Sequence, residues 1–391
     1  MVSRRRLIAW SLLSTPQVAL LLSPLGCSDD NNSGDETEFS ILPELLPPDN
    51  NGVMLLSGFS SRIVAKSGEM PSNNSSYVWH KSPDGGAIFP TYNNDWIYVS
   101  NSEEADNLGG VGALRFDSFG NLIDAYEILS NTNRNCAGGA TPWGTWLSCE
   151  EIELGNVWEC DPLGNETAEV LPALGSFAHE AIAVDDNLDI YLTEDRSDGG
   201  FYKYVSSDKS RDKPDLHNGT LYIASKSGNR ISWEIVPDPS ATSLETRYQV
   251  NSSEPFNGGE GIAYEDRTIN FVTKGDNKVW AYNIDSQEIE VIYNAADYSN
   301  PVLTGVDNVA IAPNGNLLVA EDGGNLQLVL LSSSGEPYPI IQLIGHDQSE
   351  ITGPAFSPDG NKLYFSSQDG TSGEPDGGIT FEITGNFSEL P

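Results

Sequence analysis

The chain of 391 residues carries 57 acidic against 20 basic side chains, a formal net charge of −37. Such a field repels polyanions, which excludes nucleic acid and anionic membrane surfaces as partners. With 38% hydrophobic and 20% charged residues the chain is one that folds, and its 38 glycines and 23 prolines suit an all-β chain rich in turns.

Residues 1–26 read as an export signal and stand apart from the fold. Ser3-Arg4-Arg5-Arg6 opens a charged stretch, and the apolar run that follows to Leu22 is broken by Pro16, too short for a membrane span. An arginine pair after a serine is a twin-arginine pattern, the route for proteins folded before export. Leu25-Gly26-Cys27 before Ser28-Asp29-Asp30 reads as a lipoprotein processing site, with Pro24 where leucine is usual. The expected location is the periplasm or the outer cell surface, with a lipid anchor through Cys27. Residues 27–52 are a polar, flexible linker, and 53–391 form the folded part.

Beyond Cys27 there are three cysteines, and an oxidising compartment can pair only two. Cys149 and Cys160 sit symmetrically about Leu154-Gly155 in a hairpin from Thr145 to Asp161, so a cross-strand disulfide is expected. Cys136 is left over, either as a buried apolar residue or as a thiolate metal ligand.

No long stretch has helical periodicity. Short β-rich runs recur instead: 181–184, 261–264, 309–312 and 354–357, each followed by a second strand at 189–193, 269–273, 316–320 and 362–366. Asn314-Gly315 and Asp359-Gly360 suit the tight turns between them. Third strands follow at 200–204, 278–282, 325–329 and 378–381. The repeat recurs about every 45–50 residues, the signature of a β-propeller. The step from Glu180 to Glu260 is nearly twice as long and needs an insertion or an extra blade. The expected architecture is a single, monomeric, six-bladed propeller.

Carboxylates recur where strands begin or end: Glu103, Glu151, Glu180, Glu194, Glu260, Asp307 and Glu321. Like charges converging on one funnel repel strongly at low dielectric, and hard cations with oxygen ligands resolve that best. Adjacent strand residues face opposite sides, so one of each acidic pair reaches the channel.

Asn135-Cys136-Ala-Gly-Gly-Ala-Thr-Pro-Trp-Gly-Thr-Trp-Leu-Ser-Cys149-Glu150-Glu151 resembles the hallmark segment of the PhoX-type bacterial alkaline phosphatases. Ser176-Phe-Ala-His179-Glu180, followed by Thr193-Glu194-Asp195-Arg196, is similar to the family's next motif. The resemblance implies an exported propeller that hydrolyses small phosphate esters with a cluster of ferric iron and calcium, on which a cation-bound hydroxide or oxo group is the nucleophile. It makes Cys136 the iron ligand, Glu151, Glu180 and Glu260 further ligands, and Asn101 a phosphate contact. Glu103, Glu194, Asp307 and Glu321 complete the expected ligand set. Arg196 and Lys274, rare cations beside the acidic strand ends, are candidates to face the phosphate, with an ordinary surface ion pair as the alternative for each.

Two departures stand out. Ser102 replaces a histidine of the family pattern, and Gly258-Gly259-Glu260 lacks its arginine, which glycine cannot replace as a bidentate clamp. The expected function is therefore a metal-dependent phosphoesterase. The alternatives are a non-catalytic calcium-binding scaffold and a calcium-dependent lactonase, whose blades the segment 305–320 also resembles.

Overall fold

A run of alternating apolar residues becomes a stable strand when the apolar face of its sheet is covered, and here neighbouring sheets cover one another. The computed structural model describes residues 44–390. The export signal and the Cys27 lipoprotein site lie outside the described residues. Among those described there are six antiparallel sheets of four or five strands. Their first strands are Pro83–Pro90, Asn135–Ala140, His179–Val184, Gly259–Glu265, Val306–Ile311 and Ile351–Phe356. Each touches the next, and the last touches the first, so the six strands ring a central channel. This is a six-bladed β-propeller.

The ring is closed by the N-terminal chain. Ser60–Lys66 pairs with Ile379–Thr384 in the last blade, and Val53–Leu55 pairs with Pro337–Leu343 in the blade before it. Leu45, in the stretch read as linker, packs on the core, and Leu46 N donates to Leu55 O at 2.8 Å. The ordered fold therefore begins before residue 53, because Leu45 has apolar surface to cover and the backbone of Leu46 pairs with that of Leu55. The long step from Glu180 to Glu260 is an insertion within one blade. That blade gains a fifth strand, Arg230–Ile235, and a long connection through a short 3-10 turn at Thr246–Tyr248.

Blades stack through large side chains. Phe201 of the third blade lies on Phe271 of the fourth at 4.6 Å between ring centroids, and both are fully buried. Each such burial is worth roughly 1.5–3 kcal/mol. Stacking of this kind fixes the angle between blades, and so fixes where their inner strands meet.

Cys149 and Cys160 are not bridged; both are free, buried thiols. Cys149 opposes Val157 and Cys160 opposes Trp146, three residues out of the register a disulfide needs. An odd shift puts the two side chains on opposite faces of the sheet. Cys149 joins the core shared with the third blade, and Cys160 the core shared with the first.

Candidate metal centre

Every inner strand is interrupted at the same place. The pairing of the first strand with the second shifts register between Pro83 and Gly86, Asn135 and Gly138, His179 and Ile182, Gly259 and Ile262, and Val306 and Val309. A bulge of this kind re-aims a side chain out of the alternating pleat. The residues it releases are Asp84, Cys136, Glu180, Glu260 and Asp307. The next residue is small in four of these blades because neighbouring strands cross there. A Cβ on Gly85 would lie 2.4 Å from Ala137 Cα. The sixth blade contributes Glu350, which bridges to Asp322 just ahead of its inner strand.

A second set comes from the residue just past each blade's second strand: Glu103, Glu151, Asp195, Lys274, Asp322 and Gln368. The two sets meet. Ligand atoms lie within 4.8 Å of one another in four groups: Cys136–Glu151–Glu180, Asp84–Glu103–Glu350, Glu180–Glu260–Asp307 and Asp307–Asp322–Glu350. Cys136 Sγ donates to Glu180 Oε1 at 3.3 Å, and Gln368 Nε2 donates to Asp84 and Glu103 at 2.8 and 3.0 Å.

The electrostatics are those of a site waiting for positive charge. Burial first, then neighbouring acids, holds the Cys136 thiol well above its ordinary value. The same causes raise Glu180, Glu260, Asp84 and Glu350 far above the carboxylate range. Burial, Glu103 and Asp195 push Glu151 up to about 7. Glu260 Oε1 is buried without an aligned hydrogen-bond donor. One thiol among many carboxylates suits a thiophilic, highly charged ion beside hard oxygen-seeking ions, so these residues fit iron with calcium.

A family model for alkaline phosphatase PhoX matches residues 123–287 and 272–370, more than half of the chain. The chain belongs to the PhoX family. A comparison with curated proteins finds no match. Among solved structures, PhoX of Pseudomonas fluorescens in complex with vanadate, described as a transition-state analogue, superposes at a TM-score of 0.73 and 16% identity, covering 87% of this chain and 97% of that one. A Bacteroides thetaiotaomicron protein of unknown function matches at 0.51 and 9% identity, covering 83% and 76%. A gluconolactonase of Xanthomonas campestris matches at 0.48 and 12%, covering 88% and 98%.

The PhoX-family funnel gathers Glu103, Cys136, Glu151, Glu180, Glu260 and Asp307. It leaves out two expected ligands. Glu194 accepts from Gly200 N and Tyr202 Oη, each at 2.8 Å, and pairs with Arg247 at 2.9 Å. Glu321 accepts from Thr304 N and Gln327 N at 2.8 and 2.9 Å. Glu150 fastens its own turn in the same way, through Asn133 N and Asn156 N. The last residue of the strand thus closes the turn six residues on, and the following residue faces the channel. Glu194→Ala should cost roughly 1–3 kcal/mol for each buried donor left without an acceptor, Gly200 N and Tyr202 Oη, while Arg247 keeps Asp198 at 3.2 Å; chemical denaturation reads the loss, and elemental analysis should find metal content unchanged.

Asn101 is also reassigned. Its amide donates to Cys136 O and Ala137 O, and its oxygen accepts from Trp146 Nε1 and Ser148 Oγ, so nothing remains for a phosphate. It holds the backbone beneath Cys136 instead. Lys274, a candidate to face phosphate, lies within 3.2 Å of Glu260, Asp307 and Asp322. Arg196 stands at the rim, 3.7 Å from Glu151. His179 packs on Phe177 and donates to Gly175 O, and burial lowers it to about 3.

Asp84, Glu350 and Arg134 lie outside the expected site residues, as do Asp195 and Asp322, the second members of the acidic pairs Glu194-Asp195 and Glu321-Asp322. A usable signal existed for two of them: the fifteen-residue step from Cys136 to Glu151 also takes Glu180 to Asp195 and Asp307 to Asp322. Arg134 occupies left-handed backbone at φ 42°, pinned by Arg134 N to Glu104 O and by Glu151 N to its own carbonyl. Its guanidinium reaches Glu103 at 3.1 Å.

Proposed function

We propose that this chain is an exported phosphoesterase that binds iron and calcium in the propeller funnel and hydrolyses small phosphate esters. The reading rests on the group Cys136–Glu151–Glu180, in which a thiol meets carboxylates from two rings of the funnel. Cys136, Glu151 and Glu180 are the iron ligands in this reading, and Asp84, Glu103 and Glu350 hold calcium. When bound, the cations supply Lewis acidity toward the phosphoryl oxygens and lower the pKa of water. Export and the Cys27 anchor rest on the N-terminal motifs alone.

The chain's own contribution to phosphate binding lies at the rim. Arg134 and Arg196 both act on Glu151, lowering its proton affinity from either side. Gly258, where the family pattern has arginine, also lies at the rim: its N–H donates to Arg196 O and its carbonyl accepts from Lys274 N. Arg134 and Arg196 therefore stand in for the absent guanidinium. Changing both to alanine should raise KM for a phosphate monoester about tenfold or more, the worth of one charge-assisted contact, with a smaller effect on kcat.

The test is turnover of an aryl phosphate monoester, a diester and a sugar lactone by the iron- and calcium-replete protein beside Cys136→Ala. Monoester hydrolysis that needs Cys136 is expected. Lactone turnover alone would replace the reading with a lactonase. Full metal occupancy without any turnover would select the scaffold, which the loss of arginine at Gly258 favours.

A further inference from the structure

Lys274 is the one cation in either ring of funnel residues among those described. Its root is rigid. Lys274 opens a short 3-10 turn, Lys274–Asp276, directly after the strand Thr268–Thr273. Lys274 N donates to Gly258 O at 2.8 Å, and Gly275 N to Asn257 O at 3.0 Å. A Cβ at Gly275 would lie 2.3 Å from the Asn257 side chain, so the turn seats closely on its neighbour. From there the lysine stem reaches into the funnel, where Nζ lies 3.0 Å from Glu260, 3.1 Å from Asp307 and 3.2 Å from Asp322.

Those carboxylates belong to two groups whose oxygens converge as cation ligands do, Glu180–Glu260–Asp307 and Asp307–Asp322–Glu350. Glu260 Oε1 adds an independent mark. It is buried and close to Nζ, yet takes no aligned hydrogen bond, as suits an oxygen placed for an ion with no directional demand. A calcium ion held by these oxygens at about 2.3–2.6 Å would occupy the space that Nζ takes. The ammonium and the ion cannot share it.

The geometry points to Lys274 as a built-in cation that takes the place of one divalent ion, so that the funnel holds its metals only in the two pockets clear of the lysine. This rests on the cation-cluster reading above. The two pockets are Cys136–Glu151–Glu180 and Asp84–Glu103–Glu350, neither of which shares a residue with the lysine's three partners. One positive charge among three carboxylates leaves the region negative, which strengthens those pockets rather than emptying them.

The experiment counts bound calcium per chain by equilibrium dialysis and elemental analysis, for the full chain and for Lys274→Met, which removes the charge and keeps the length. One additional calcium per chain in the variant is expected. An unchanged count overturns the proposal. If the variant does not fold, acetylation of the wild-type amine decides. Lys274 should stay equally protected with and without saturating calcium, and a calcium-induced rise in its labelling would show the ion displacing it and overturn the proposal. Failure of the wild type to bind any calcium or iron would sink the cation-cluster reading itself, a different result from an unchanged count.

Discussion

Cys136→Ser should remove iron from the purified protein and lower phosphomonoester hydrolysis by at least about a hundredfold, the upper range of what outer-shell changes alone cost at metal sites. Serine is close in size but is a poor ligand for a thiophilic ion at neutral pH, since its hydroxyl does not ionise there. The fold should survive. Cys136 lies in the funnel wall rather than in the apolar clusters, and its backbone is held by Asn101 through the two carbonyls of the bulge. Cys149→Ser is the matched control. That thiol is fully buried among Leu147, Val157 and Phe177, so its replacement should lower stability and leave iron in place. Elemental analysis of the three proteins separates the cases. Equal iron in wild type and Cys136→Ser would reduce Cys136 to a wall residue and remove the basis for placing iron there.

Much of the fold was legible because each blade repeats the same local statement. An alternating run, a turn, a second run and an acidic end recur at 309–322 and, with Lys274 as the end residue, at 262–274, and the structure pairs Val306–Ile311 with Leu317–Glu321 and Gly259–Glu265 with Thr268–Thr273 as that pattern requires. The first blade was not legible. Its inner strand begins Pro83-Asp84-Gly85-Gly86, which reads as a turn, because glycine is needed there for the approach of Ala137 rather than for a reversal of the chain.

The site was legible in kind more than in detail. Alternation says that one of Glu194 and Asp195 faces the channel, and one of Glu321 and Asp322, but not which. The answer lies in hydrogen bonds made six residues further on, to Gly200 N and Gln327 N, that a linear pattern does not display. The disulfide failed for a related reason. Symmetry about Leu154-Gly155 assumed a tight turn, whereas the turn is centred nearer Glu153, and three residues of slip carry Cys160 to the other face of the sheet.

Chelating the cations should lower the melting temperature, and the loss should grow as pH rises from about 5 to 9. In the metal-free protein Asp84, Glu180, Glu260 and Glu350 are held far above their ordinary values of 3.8 and 4.5, chiefly by burial, and Glu151 is pushed up to about 7. The folded state therefore binds more protons than the unfolded state between the unfolded values near 4 and the raised folded ones. Stability then falls as pH climbs through that window, because buried carboxylates must ionise against one another. Bound cations reverse the sign: they need the ionised carboxylates and the thiolate, so their contribution weakens toward acid as protons compete for the same atoms. An ion present at a hundred times its Kd contributes about 2.7 kcal/mol. With an unfolding entropy of about 2.1 cal/mol/K per residue over the residues 44–390, that is roughly 4 °C per ion. Melting curves at pH 5, 7 and 9, with calcium or with chelator, measure the gap between the two forms. It should nearly close at pH 5 and be widest at pH 9. A gap that is constant across the range would mean that the cations bind outside the funnel, where no raised carboxylate couples them to protons.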